Sequence, residues 1–277
     1  MSIINGYITR EQLVAEVAEG STTIDTERLD RICYQASRIV DDWTQRRFYP
    51  VIETRYFSPD YTDVLWVDDL LSVTTLKSDD GGRTYSTTWA TTDYDLEPYN
   101  ADEKKQPYTA LRLTPQSLQY FPIVRRGIEV VGKWGYFEET RTASATVSGV
   151  HTSSTTSLTT SAADEFDVGH ILKIGSEYMR VDAVNTTTEV LTVARGINGS
   201  TAAALSGGEA IMYLAFPNIA EATMRLATRI WHLRKAPMGI ATAGVQGFDG
   251  STAGTRWIQH DQDLQAWLAP YRGGRML

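Results

Sequence analysis

Apolar residues recur along this chain in two rhythms. Between Asp25 and Trp43 they fall at i, i+3, i+4 and i+7: Leu29, Ile32, Cys33, Ala36, Ile39, Val40 and Trp43 make one stripe, and Glu27, Arg28, Arg31, Arg38, Asp41 and Asp42 take the opposite face. That period predicts an amphipathic helix started by Asp25 and ended by Pro50. Each large side chain it buries is worth roughly 1.5–3 kcal/mol. Upstream, Thr9-x-x-Gln12 before Leu13, Val14 and Val17 has the form of a capping box opening a short helix that stops at Gly20. The same helical rhythm returns after Phe216-Pro217-Asn218, with Ile219, Ala220, Thr223, Leu226, Ala227, Ile230 and Trp231 on one stripe.

Between these helices the pattern is that of strands. Thr54–Phe57, Val64–Val67, Leu71–Leu76, Ala110–Leu113 and Gly127–Gly132 are β-rich runs bounded by turn residues. Asp79-Asp80-Gly81-Gly82 is a turn signal, and Pro98–Pro107 reads as a solvated loop. From Arg141 to Ala163 thirteen of 23 residues are Ser or Thr, which predicts a flexible lead-in or edge strands rather than core. Short strands follow at Phe166–Gly175, Glu177–Val181, Val190–Val193 and Ala210–Leu214. These make an expected all-β insert, a small sandwich or barrel at 141–215, set into a core formed by 1–140 and 216–277. A Gly/Ala/Ser/Thr-rich flexible loop at 239–254 and a last helix at 256–269 complete the division.

The 277 residues carry a net charge of −8, and it is uneven: −8 over 1–140, −3 over 141–215 and +3 over 216–277. An acidic body neutralises phosphate poorly, so sequence-independent DNA binding is not expected. No apolar run reaches the ~18–20 residues of a membrane-spanning helix, no basic-then-apolar leader opens the chain, and the lone Cys33 cannot form an internal disulfide. A cytoplasm is the expected place of synthesis and assembly, with no membrane partner.

Candidate chemistry is thin. There is no G-x-S-x-G, no P-loop and no H-E-x-x-H, and Gly250–Gly254 lacks the spacing of a nucleophile turn. His151, His170, His232 and His260 are scattered and read as surface or helix-flank residues. Asp60, Asp63, Asp68 and Asp69 have the oxygens for a calcium ion, but strand-end and turn carboxylates are the simpler reading. Arg225, Arg229, Arg234 and Lys235 fit helix-end complementarity or an intersubunit salt bridge better than nucleic acid. The residues alone therefore predict no enzyme, no cofactor and no metal.

Several segments taken in order are similar to the head–tail connector (adaptor) proteins of tailed bacteriophages: Ala36–Tyr49, Leu65–Leu70, Tyr94–Asn100, Val130–Tyr136, Phe216–Ala222 and Leu268–Arg272. The resemblance implies an α+β fold with a mainly helical connector core, a β-sheet or hairpin region and the all-β insert. It also implies a virion structural protein in the head–tail neck: a homo-oligomeric, dodecameric ring beneath the portal protein. Such a ring extends the DNA channel, lets DNA pass without specific binding, and contacts a stopper or tail terminator. Portal docking would fall to Trp257, Ile258, Leu264, Trp267, Leu268, Tyr271 and Arg272, and subunit interfaces to Arg46, Arg47, Arg225, Arg229 and Arg234. The insert would touch capsid, fibre or decoration protein. The alternative expectation is a phage binding module whose β insert recognises a host surface glycan or another virion protein. Only Tyr178, Tyr213 and Phe166 are available on the insert as aromatic platforms. A cell-wall or DNA hydrolase would need paired carboxylates in a cleft, and no spacing points to them.

Overall fold

The computed structural model describes residues 3–17, 25–60, 62–233 and 261–273. The chain divides into two compact units, 1–46 with 139–277, and 47–138.

In the first unit, α1 (Arg10–Val17) and α2 (Thr26–Thr44) precede a six-stranded antiparallel sheet, and α3 (Pro217–Leu233) and α4 (Gln262–Leu268) follow it. Both N-terminal helices start as their sequences require. The Thr9 hydroxyl accepts from the Gln12 N–H at 3.2 Å and Gln12 Oε1 accepts from the Thr9 N–H at 3.0 Å, a reciprocal capping box. The Asp25 carboxylate accepts from the N–H groups of Glu27 and Arg28. The buried stripe of α2 is Leu29, Ile32, Cys33, Ala36 and Val40. Two hydroxyls on that stripe return to carbonyls one turn back, Ser37 to Cys33 and Thr44 to Val40, both at 2.8 Å. α2 packs on α3, α1 lies against both, and α4 against α3.

The sheet of this unit runs β7 (Thr140–Thr146), β12 (Ala210–Leu214), β9 (Ile171–Ile174), β10 (Glu177–Asn185), β11 (Val190–Ala194) and β8 (Ser157–Thr159). It closes on itself, because Val147 bridges Thr160, and the Ser148 and Ser161 N–H groups bond the carbonyls of Thr159 and Thr146. The two edge strands therefore meet just past their ends, and the sheet curls into a barrel there. The Ser/Thr-rich run is part of its wall and not a flexible lead-in. Ala143, Ala145, Val147 and Leu158 point into the core while the intervening Thr142, Ser144 and Ser157 face out. The period-two signal was hidden because half of its apolar members are alanines.

The second unit is an open antiparallel sheet in the order β1 (Val51–Phe57), β6 (Ile128–Trp134), β2 (Val64–Ser78), β5 (Tyr108–Leu113), β4 (Tyr94–Glu97), with β3 (Thr87–Thr88) on β2. β2 is one strand of 15 residues where the sequence pattern reads as two. Asp68 and Asp69, which interrupt the pattern, fall in a register shift between Trp66 and Leu70, so the chain absorbs them as a bulge without leaving the sheet. Leu65, Leu70, Leu76, Leu111, Ile128, Val130 and Trp134 form the core. At Gly132 a Cβ would stand 2.5 Å from the Ser72 carbonyl oxygen, so only glycine allows β2 and β6 to meet there.

Two six-stranded sheets and four helices among the described residues make the protein mostly β. The expected mainly helical connector core is therefore corrected. Of the strands between Val51 and Trp134, β1, β2, β5 and β6 show in the sequence as strands, and β3 and β4 do not. The helical weighting came from the resemblance, although three of its segments, Leu65–Leu70, Tyr94–Asn100 and Val130–Tyr136, fall in or run on from β2, β4 and β6.

Candidate functional site

At one end of the barrel, where β7 begins and β12 runs out toward α3, lies a cleft of about 370 Å³ within the first unit. Its walls are Gly6–Thr9 and Gln12, Arg141 at the start of β7, Glu165, Asp167 and Gly169–Ile171 before and in β9, and Tyr213–Pro217 with Ala220.

The turn Asp167–His170 holds most of the polar groups. Gly169 there has φ +102°, and a Cβ on it would press within 3.0 Å of Ile3, so both conformation and space require glycine. The Asp167 carboxylate takes one hydrogen bond through Oδ2, from the Thr9 hydroxyl at 2.8 Å. Its backbone N–H donates to His170 Nδ1 at 3.1 Å. That bond assigns the ring proton to Nε2. Burial lowers the His170 pKa, against the opposing field of Asp167, so the ring is neutral at pH 7 and offers Nε2–H as a donor. The imidazole stacks on Tyr213, centroids 4.9 Å apart at 24°. Glu165 is committed elsewhere: both its oxygens accept from backbone, Ser144 N–H at 2.9 Å and Ala145 N–H at 2.8 Å.

Glu11, next to the cleft on α1, accepts from the Val168 N–H at 3.1 Å. Partial burial of its carboxyl pushes its pKa up, and the charge of Asp167 adds to this. Glu11 as a residue is exposed, so solvent limits the effect. Among the described residues no group of His, Cys, Asp and Glu has the arrangement to hold a metal ion.

The residues singled out from sequence lie elsewhere. Leu264 and Leu268 are buried, Trp267 lies under the Arg225 guanidinium, Tyr271 accepts from Asn218, and Arg272 lies over Trp43. Arg225 and Arg229 pair with Asp261, and Arg225 also with Asp263. Arg46 is half-buried and Arg47 exposed. Trp257, Ile258 and Arg234, and with them the loop at 239–254 and the first part of the expected helix at 256–269, lie outside the described residues. Asp63 and Asp68 pair with Arg112 and Arg55. Cys33 is buried, and burial raises its pKa to about 12, so it is an inert thiol. Phe166 and Tyr178 are buried, which leaves Tyr213 as the insert aromatic that reaches the cleft. His170 was missed because it was judged alone; the spacing Asp167-x-Gly169-His170 was the available signal.

The chain belongs to the capsule depolymerase family, whose model matches residues 2–215. No curated protein matches it. Membership in that family overturns the head–tail connector resemblance and, with it, the expectation of a non-enzyme, because capsule depolymerase domains are glycan-degrading enzymes. The motifs behind the connector resemblance are accounted for by packing inside the chain: Trp43 lies under Arg272, Trp134 is core, and Phe216 meets Tyr7 edge-on.

Proposed function

We propose that this protein is a phage virion component that recognises and cleaves the capsular polysaccharide of a bacterial host, with the barrel-end cleft as the sugar-binding site. Its partners are then the host capsule and neighbouring virion proteins. Family membership supports the reaction class. The observation that carries the site is Asp167, fixed through one oxygen by Thr9 beside a neutral imidazole stacked on Tyr213. In this reading Asp167 is the general base, poised to take a proton from water or from the sugar ring. His170 donates through Nε2 to a sugar or leaving-group oxygen, and Tyr213 supports the ring that His170 orients.

The test is cleavage of purified capsular polysaccharide, followed by release of reducing ends and by loss of viscosity. Asp167→Asn keeps an oxygen for the Thr9 hydroxyl but removes the base, and is expected to lower turnover by about 10²–10⁴-fold. Turnover at the wild-type rate in that variant would place the chemistry outside this cleft. Ultraviolet absorbance from a new carbon–carbon double bond in the product would identify elimination, and its absence hydrolysis.

A further inference from the structure

We propose that the cleft selects an anionic glycan, and that Arg141 is the group that binds the carboxylate of its sugar. This rests on the sugar-binding reading of the cleft and names its substrate class. The starting point is the state of the arginines. Arg10, Arg31, Arg38, Arg55, Arg112, Arg180, Arg195, Arg225 and Arg229 each have a carboxylate partner in the chain. Arg141 is exposed and, like Arg28, Arg47, Arg83 and Arg125, its side chain has no hydrogen-bond or ion-pair partner among the described residues; what sets it apart is that it lines the cleft. The nearby acids are engaged in other ways. Glu165 is held by two backbone N–H groups and Asp167 by Thr9, and neither is paired with Arg141.

Position adds to charge. Arg141 on β7 stands directly opposite Tyr213 on β12, so the two side chains leave the same face of the barrel wall. Tyr213 carries His170 stacked on it. A sugar held against this aromatic pair would place a ring carboxylate or an acetal-linked carboxylate toward the guanidinium, which binds planar carboxylates through two parallel N–H bonds. The chain as a whole is acidic, with a net charge of −8, and repels polyanions. Arg141 is the one arginine lining a cleft that also carries the Glu165 and Asp167 carboxylates, so an anionic sugar is favoured only where its carboxylate meets the guanidinium itself.

The experiment uses the full chain and three purified capsular polysaccharides: one bearing hexuronate, one bearing a pyruvate acetal, one neutral. Binding is measured by isothermal titration, together with the carboxyl-reduced form of any polysaccharide bound. The expected result is binding of an acidic member, and about tenfold to a hundredfold weaker binding after carboxyl reduction or in Arg141→Ala, the range for one charge-assisted pair. Arg141→Lys should recover part of the loss, and because Arg141 is exposed both variants should melt as the wild type does. The two acidic arms distinguish a ring carboxylate from an acetal one. Equal binding of the neutral polymer, or of the carboxyl-reduced form, overturns this proposal and leaves the cleft a sugar site. Binding of none of the three overturns the sugar-binding reading, and this proposal falls with it.

Discussion

Each of the two sheets fastens a loop with one carboxylate, and they do it in opposite ways. In the barrel, Glu177 at the start of β10 accepts from the Gly196 and Ala203 N–H groups and forms a bidentate pair with Arg195 at 2.7 Å on both sides. The Arg195 guanidinium also donates to the carbonyls of Thr152 and Thr155, so two loops hang on one ion pair whose side chains are 6% and 0% exposed. In the open sheet, Asp79 at the end of β2 accepts from the N–H groups of Gly81, Arg83, Thr84 and Tyr85, with no arginine or lysine bonded to it. The first loop is held by a countercharge as well as backbone N–H groups, and the second by neutral donors, four backbone N–H groups and the Thr84 hydroxyl. A buried ion pair fails badly when one member is removed, since the survivor is left charged in a low dielectric; a carboxylate in a nest of N–H groups leaves only neutral donors behind, which water can reach.

The largest expected effect follows directly. Glu177→Ala should cost about 3–5 kcal/mol in urea unfolding, because Arg195 remains buried without its partner. Removing both members, Glu177→Leu with Arg195→Met, should cost clearly less than either single change. If the double variant is the weaker one, the pair's hydrogen bonds to the two loops matter more than its charge.

Acid should separate the regions next. Burial raises the Asp79 pKa, but the backbone N–H groups outweigh it and bring it to about 2, against 3.8 for the ordinary carboxyl. A depressed folded-state pKa means stability that is present above the unfolded value and lost as pH falls through the folded one. The Asp79 loop should therefore loosen between about pH 4 and pH 2, and Asp79→Asn should flatten that part of the curve. Glu177 has the same sign: burial opposes, and Arg195 with the Ala203 and Gly196 N–H groups lowers its pKa. Hydrogen exchange of the loop amides against pH reads the two loops separately. The smallest effect is expected at Asp25, an exposed carboxylate on only two N–H groups; Asp25→Ala should cost about 0.5–2 kcal/mol in thermal melting.

What the sequence made legible was whatever is local. The Thr9/Gln12 box, the Asp25 cap, the stripes of α2 and α3, Pro217 at the first turn of its helix and the Asp79 turn all depend on residues a few positions apart. What it hid is non-local. Barrel closure depends on Val147 meeting Thr160, and the Glu177–Arg195 pair on β10 meeting β11. The cleft depends on Thr9 reaching Asp167 across 158 positions, and on Arg141 facing Tyr213. None of these residues is unusual for its own neighbourhood, so local reading sees turn carboxylates and a stray histidine. The connector reading erred in the same way, by weighting short segments, strand as well as helix, that many folds share.

The Ala215 N–H bonds the Glu139 carbonyl at 2.9 Å, so the barrel's chain departs beside the point where it arrived. Such a segment has the geometry of an exchangeable cassette. Transplanting it would carry Arg141, Asp167, His170 and Tyr213 into a new host while leaving Thr9 and Gln12 behind. A chimaera would take Asp167 from the donor and the Thr9 hydroxyl that bonds it from the recipient, so this one contact would join two separately inherited stretches of chain.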